Sequence, residues 1–120
     1  MKLSDREWAV LNELWITGGA GLGELVTRLR PKTGWSRNTV LTYLTRMEAK
    51  GLVRIDAEAI PHVYHAALDR AACQEQESRS FLNSVYQGSA GDMIAAFLKR
   101  EKISKKELER LRALLDDMEV

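Results

Sequence analysis

The sequence is poor in the residues from which catalytic and metal sites are built. It has one cysteine, Cys73, and two histidines, His62 and His65, in 120 residues. A lone thiol excludes an internal disulfide and fits a reducing compartment. His62 and His65 lie three apart on an expected strand and so point to opposite faces, which is poor geometry for joint metal binding even with Cys73 further along. Each histidine reads more simply as a strand residue, and Cys73 as a small apolar side chain or a mildly reactive thiol. There is no glycine loop suited to phosphate. With so thin an inventory, no catalytic residue, cofactor or metal site is expected. No apolar run approaches the roughly 18 residues that read as a membrane span, and the opening Met-Lys-Leu-Ser-Asp lacks the apolar core of a signal peptide, so a cytoplasmic protein is expected.

Net charge is also lacking overall, at +1, but its distribution is uneven. From Arg28 to Arg54 seven cations (Arg28, Arg30, Lys32, Arg37, Arg46, Lys50, Arg54) face one acid, Glu48, giving +6 locally. Such a concentration suits an anionic partner docking in one place. Residues 71–120 carry eight cations and nine acids and are close to neutral. Within them Lys105 and Lys106, and the run Asp116, Asp117 and Glu119, read as solvated surface charge.

What is present in strength is helix punctuation. In "LSDREWAVLNELW", Ser4 can cap, Glu7 completes a capping box and Leu3 can staple against Trp8, with Trp8, Leu11, Leu14 and Trp15 forming a helical stripe that reads as core. "TGGAGLG" breaks the helix. "LGELVTRLR" predicts a short second helix with Leu22, Leu25, Val26 and Leu29 inward, closed by Pro31. Ser36 caps a third, with Trp35 and Val40 placed as a staple, and Gly51 ends it. "LVRID" and "PHVYHA" alternate as two strands joined through "AEAI". Three helices and a two-stranded ribbon form a winged helix-turn-helix domain, expected over residues 1–69, with the third helix reading DNA.

Residues 70–120 are expected to be a three-helix dimerisation domain. Asp69 can cap a helix to about Gly88, "DMIAAFLKR" makes a short one, and Ser104 with Glu107 and Ile103 with Leu108 repeat the opening pattern for the last. Some fifty residues in amphipathic helices are marginal as a lone core. Pairing two copies through Phe81, Leu82, Val85, Ile94, Phe97, Leu98, Leu108, Leu111, Leu114 and Leu115 would bury those stripes, so a homodimer is expected. The fold class is therefore mainly α.

At about 100° per residue, Arg37, Asn38, Leu41, Thr42, Thr45 and Arg46 of "WSRNTVLTYLTRMEAKGLV" fall on one half of the third helix, and Val40, Tyr43, Leu44 and Met47 on the other. The first half holds no acid through Arg46, whereas a merely solvated helix usually mixes Glu with Lys. Arginine suits guanine, asparagine suits adenine and an exposed leucine suits a thymine methyl. Arg37, Asn38, Leu41 and Thr42 are thus the base-edge candidates. Arg28, Lys32, Ser36, Thr39, Arg46, Lys50 and Arg54 are the phosphate candidates in double-stranded operator DNA. An ordinary polar face, or a winged helix that binds protein through the same surface, are the competing readings.

Over nearly its whole length the chain resembles the penicillinase repressor (BlaI/MecI) family, in "LSDREWAVLNELW", "WSRNTVLTYLTRMEAKGLV", "HVYHAALDR" and above all "SFLNSVYQGSAGDMIAAFL". The resemblance implies a dimeric bacterial repressor that binds an inverted-repeat operator through its winged domain and interlocks through its C-terminal helices. It also implies a partner, a membrane sensor with a metalloprotease domain, whose signal leads to cleavage between Ala96 and Phe97. A severed dimerisation domain would remove the second half-site and its chelate gain in affinity. The best-known members carry Asn where this chain has Ala96, and their wing is more basic than "DAEAIPH". A copper-responsive branch has paired C-terminal cysteines, and this chain, ending "LLDDMEV", has none.

Overall fold

A computed structural model describes residues 2–118; Glu119, read above as part of a solvated acidic end, lies outside the described residues. The element order is α1 (Asp5–Thr17), α2 (Leu22–Thr33), α3 (Arg37–Ala49), β1 (Val53–Asp56), β2 (Val63–Ala66), α4 (Arg70–Tyr86), α5 (Ala90–Arg100) and α6 (Lys105–Asp117). This is the winged helix-turn-helix order followed by three helices, as the punctuation predicts.

Local chemistry explains the helix limits. The Ser4 hydroxyl accepts from the Glu7 N–H while the Glu7 carboxylate accepts from the Ser4 N–H, so two orphan donors at the start of α1 are satisfied. Gly18 ends α1 in the left-handed region, φ 72°, a conformation that costs glycine little. One expectation is corrected: Pro31 does not close α2, which runs on to Thr33. Pro31 removes its own N–H bond and crowds the carbonyl one turn back, yet the helix continues two residues further, and the stop is set by Gly34, also left-handed, whose N–H donates to the Arg30 carbonyl at 2.8 Å. Ser36 caps α3 by accepting from the Thr39 N–H. Trp35 lays its ring on Tyr43, centroids 4.7 Å apart and nearly parallel.

The strands pair antiparallel, Val53 opposite Ala66 and Asp56 opposite Val63. The wing loop is wider than the expected "AEAI", spanning residues 57–62, because Pro61 and His62 precede the strand pairing. Strand β2 is fastened to the α1–α2 turn: Ala20 and Tyr64 exchange two backbone hydrogen bonds of 3.0 and 2.8 Å. Next to this bridge, Gly19 sits at φ 127°, and a Cβ there would collide with the His65 imidazole. Farther on, the Trp15 indole donates to the Leu68 carbonyl at 3.0 Å.

Val10, Leu11, Leu14, Leu25, Leu29, Val40, Leu44, Met47 and Leu52 are fully buried and join α1, α2, α3 and the start of β1 in one core. The tryptophans Trp8, Trp15 and Trp35 pack half-buried around it. This first compact unit extends to Glu77, because Leu68 and Cys73 pack against the same core, and the second begins at Ser78. No residue of α5 or α6 is buried.

Candidate nucleic-acid interface

The two halves of α3 differ as its sequence predicts. Val40, Leu44 and Met47 are buried, while Arg37, Asn38, Leu41, Thr42, Thr45 and Arg46 are exposed. Leu41 is 40% exposed on a face otherwise made of hydrogen-bonding groups. The threonines are not free rotors. The Thr42 hydroxyl donates to the Asn38 carbonyl and that of Thr45 to the Leu41 carbonyl, both at 2.9 Å. Each therefore presents a methyl group and acceptor lone pairs outward, fit for a thymine methyl or a base amino group. At the helix start Ser36 is exposed but its hydroxyl is engaged with Thr39, itself half-buried. The first turn of α3 contains no acid.

Arg37 lies where several elements meet. With Gly21, Gly23 and Glu24 at the beginning of α2, and Pro61 and His62 at the wing, it lines an open cleft. The N-cap of α2 is Gly21, with no side-chain cap bond, and Glu24 stands in the first turn. His65 instead lies against Gly19. Among the described residues no group of three His, Cys, Asp or Glu side chains is placed to hold a metal.

The phosphate candidates separate into two kinds. Arg28 Nε and Lys32 Nζ both bind the Glu13 carboxylate, at 2.9 and 3.0 Å, and Lys50 Nζ binds that of Glu7 at 3.0 Å. Glu13 is 3% exposed and Glu7 7% exposed. Burial pushes each carboxyl up, but hydrogen bonds and cations outweigh it: Lys32 and Arg28 hold Glu13, and the Ser4 N–H with Lys50 holds Glu7, below the ordinary carboxylate value. The seven cations counted along the sequence are thus moderated by two acids from α1. Arg37, Arg46 and Arg54 are exposed and carry no carboxylate partner among the described residues. Arg6 was not anticipated. Its guanidinium donates to the Tyr43 hydroxyl at 2.8 Å, which sets a further cation beside α3 across 37 positions of sequence, beyond the reach of any periodicity.

The sequence matches the family model described as Penicillinase repressor over residues 3–117. The chain belongs to the penicillinase repressor family. Relatives include the methicillin resistance regulatory protein MecI of Mammaliicoccus sciuri, 26% identical over 115 residues that cover 96% of this chain and 94% of the relative. The penicillinase repressor of Bacillus licheniformis is 29% identical over 116 residues, 97% of this chain and 91% of the relative. That of Staphylococcus aureus is 25% identical over 118 residues, 98% and 94%. The family is one of transcriptional repressors and not of enzymes.

In this penicillinase repressor family member the second unit exposes its apolar stripes. Phe81, Val85, Ile94, Phe97, Leu98, Leu108, Leu114 and Leu115 are exposed, and Leu82 and Leu111 are half-buried. Phe81 contacts Phe97 with centroids 6.3 Å apart. The Ala96–Phe97 bond lies inside α5 with Phe97 46% exposed. No helix of the described residues is long and apolar enough to cross a membrane. Of the two readings of Cys73, its packing against the core fits the small apolar side chain; burial, then the charge of Asp69, pushes the thiol pKa up and disfavours the thiolate.

Proposed function

We propose that this repressor acts as a homodimer that lays the exposed face of α3 in successive major grooves of an inverted-repeat operator and so blocks a promoter. The observation that carries the reading is that face itself: Arg37, Asn38, Leu41, Thr42, Thr45 and Arg46 are exposed together without an acid among them. Arg37, Asn38, Leu41 and Thr42 read base edges, the N-terminal residues of such a helix being those that reach them. Arg46 and Arg54, with Ser36 and Thr39 at the start of α3, meet phosphate. Arg28, Lys32 and Lys50 contribute less, since each arrives already paired with a carboxylate. The exposed apolar side chains of α5 and α6 support pairing with a second copy, which sets the two α3 helices about 34 Å apart, one turn of B-DNA.

Release by cleavage at Ala96–Phe97, under a membrane sensor with a metalloprotease domain, is the induction step that family membership suggests. It acts by mass action, because cutting α5 weakens the dimer and forfeits the second half-site.

The deciding experiment titrates the full chain against its own upstream DNA and a scrambled duplex of equal length at two salt concentrations. A preference of about a thousandfold or more, with two symmetric protected half-sites, supports the operator reading. A log-log salt slope of about −0.9 per neutralised phosphate counts the contacts. Equal feeble binding to both duplexes without a salt slope refutes it in favour of a winged helix that docks protein.

A further inference from the structure

Away from α3, the first unit contains a cavity of about 190 Å³ between the beginning of α1, the segment after β2 and the first turns of α4. Its floor is apolar: Leu3 is buried, and Trp8, Leu68 and Cys73 are half-buried. Its rim is not. Asp69, Gln76 and Glu77 stand there, and no Lys, Arg or His is among the described residues that line it. Asp69, an exposed residue that lines the cavity, accepts the Ala72 N–H through Oδ2 as the cap of α4. The Cys73 thiol in the floor has its pKa raised first by burial and then by the Asp69 charge.

We propose that this cavity binds a small organic cation with an apolar body, an arylalkylammonium ion. Size, polarity and charge each restrict the occupant. An apolar cavity of about 150 Å³ holds benzene, so 190 Å³ admits a ring and a short arm. The ring displaces water from Leu3, Leu68 and the Trp8 indole, an aromatic surface that also favours a cation. The ammonium then lies at the rim with Asp69 and Glu77, where a carboxylate ligand would meet two like charges and a neutral one would gain neither attraction. The inference is independent of how α3 binds DNA.

The test titrates the full chain with phenethylammonium, neutral phenethyl alcohol and anionic phenylacetate, following tryptophan fluorescence and the Trp8 indole N–H resonance. The cation should bind at least about tenfold more tightly than either analogue. The double variant Asp69→Asn with Glu77→Gln keeps a competent helix cap in Asn and should reduce that preference to about threefold or less. Ala72→Leu, at an exposed position of α4 on the cavity wall, should abolish binding of all three. The proposal is overturned by equal binding of cation, alcohol and anion, by undiminished cation preference in the double variant, or by no saturation below about 10 mM.

Discussion

Replacing Glu13 by Gln isolates the buried charge that organises the α1–α2 contact. The carboxylate is 3% exposed and holds Arg28 Nε at 2.9 Å and Lys32 Nζ at 3.0 Å. Hydrogen bonds to charged groups contribute about 1.5 to 3 kcal/mol each when well made. Here the cationic side chains remain 36% and 55% exposed, so solvent screens both contacts toward the roughly 0 to 1 kcal/mol of surface pairs. With the amide oxygen of Gln keeping part of each bond, the expected loss is about 1 to 2 kcal/mol at pH 7.

The pH dependence makes the argument specific. Glu13 titrates below 4.5 in the fold, so its contribution is fully present above the unfolded-state value and is lost as pH falls through the folded one. The difference between wild type and Glu13→Gln should therefore shrink as pH falls below the ordinary carboxylate value of 4.5 and through the lower folded-state value. The lowered pKa of Glu7 is common to both proteins and cancels from the difference. Denaturant unfolding followed by tryptophan fluorescence reads the right unit, since Trp8, Trp15 and Trp35 all lie before Ser78. A difference that stayed constant from pH 7 to pH 3 would refute the reasoning, because it would mean that the cost is one of shape and not of charge.

Three further outcomes are expected. Arg37→Ala should weaken operator binding by about 1 to 3 kcal/mol and relax preference at one base position; uniform weakening across all sequences would make Arg37 a phosphate contact. Gly19→Ala should cost on the order of 1 to 3 kcal/mol of stability, from φ 127° and the collision with His65, read as a lower denaturation midpoint; a neutral effect would mean that the α1–α2 turn relaxes freely. Leu111→Asp together with Leu114→Asp should give a monomer in sedimentation with weakened operator affinity and unchanged tryptophan fluorescence, and a persistent dimer would move the interface elsewhere.

The sequence by itself determined the elements and their faces. Ser4 with Glu7, Ser36, Asp69 and Ser104 mark helix starts because capping is a bond between residues two or three apart, and the two sides of α3 follow from a fixed rotation per residue. Tertiary structure decided what those faces retain. Glu7 finds Lys50 across 43 positions and Glu13 finds Arg28 and Lys32 across 15 and 19. A count of charges along the chain therefore overstates the cations left free for phosphate. The bridge from Ala20 to Tyr64, the placing of Arg6 beside Tyr43 and the cavity under α4 have the same origin. Each depends on segments that meet only after the core of Leu11, Leu25, Leu44 and their neighbours has closed, and no signal reaching a few residues along the chain encodes such a meeting.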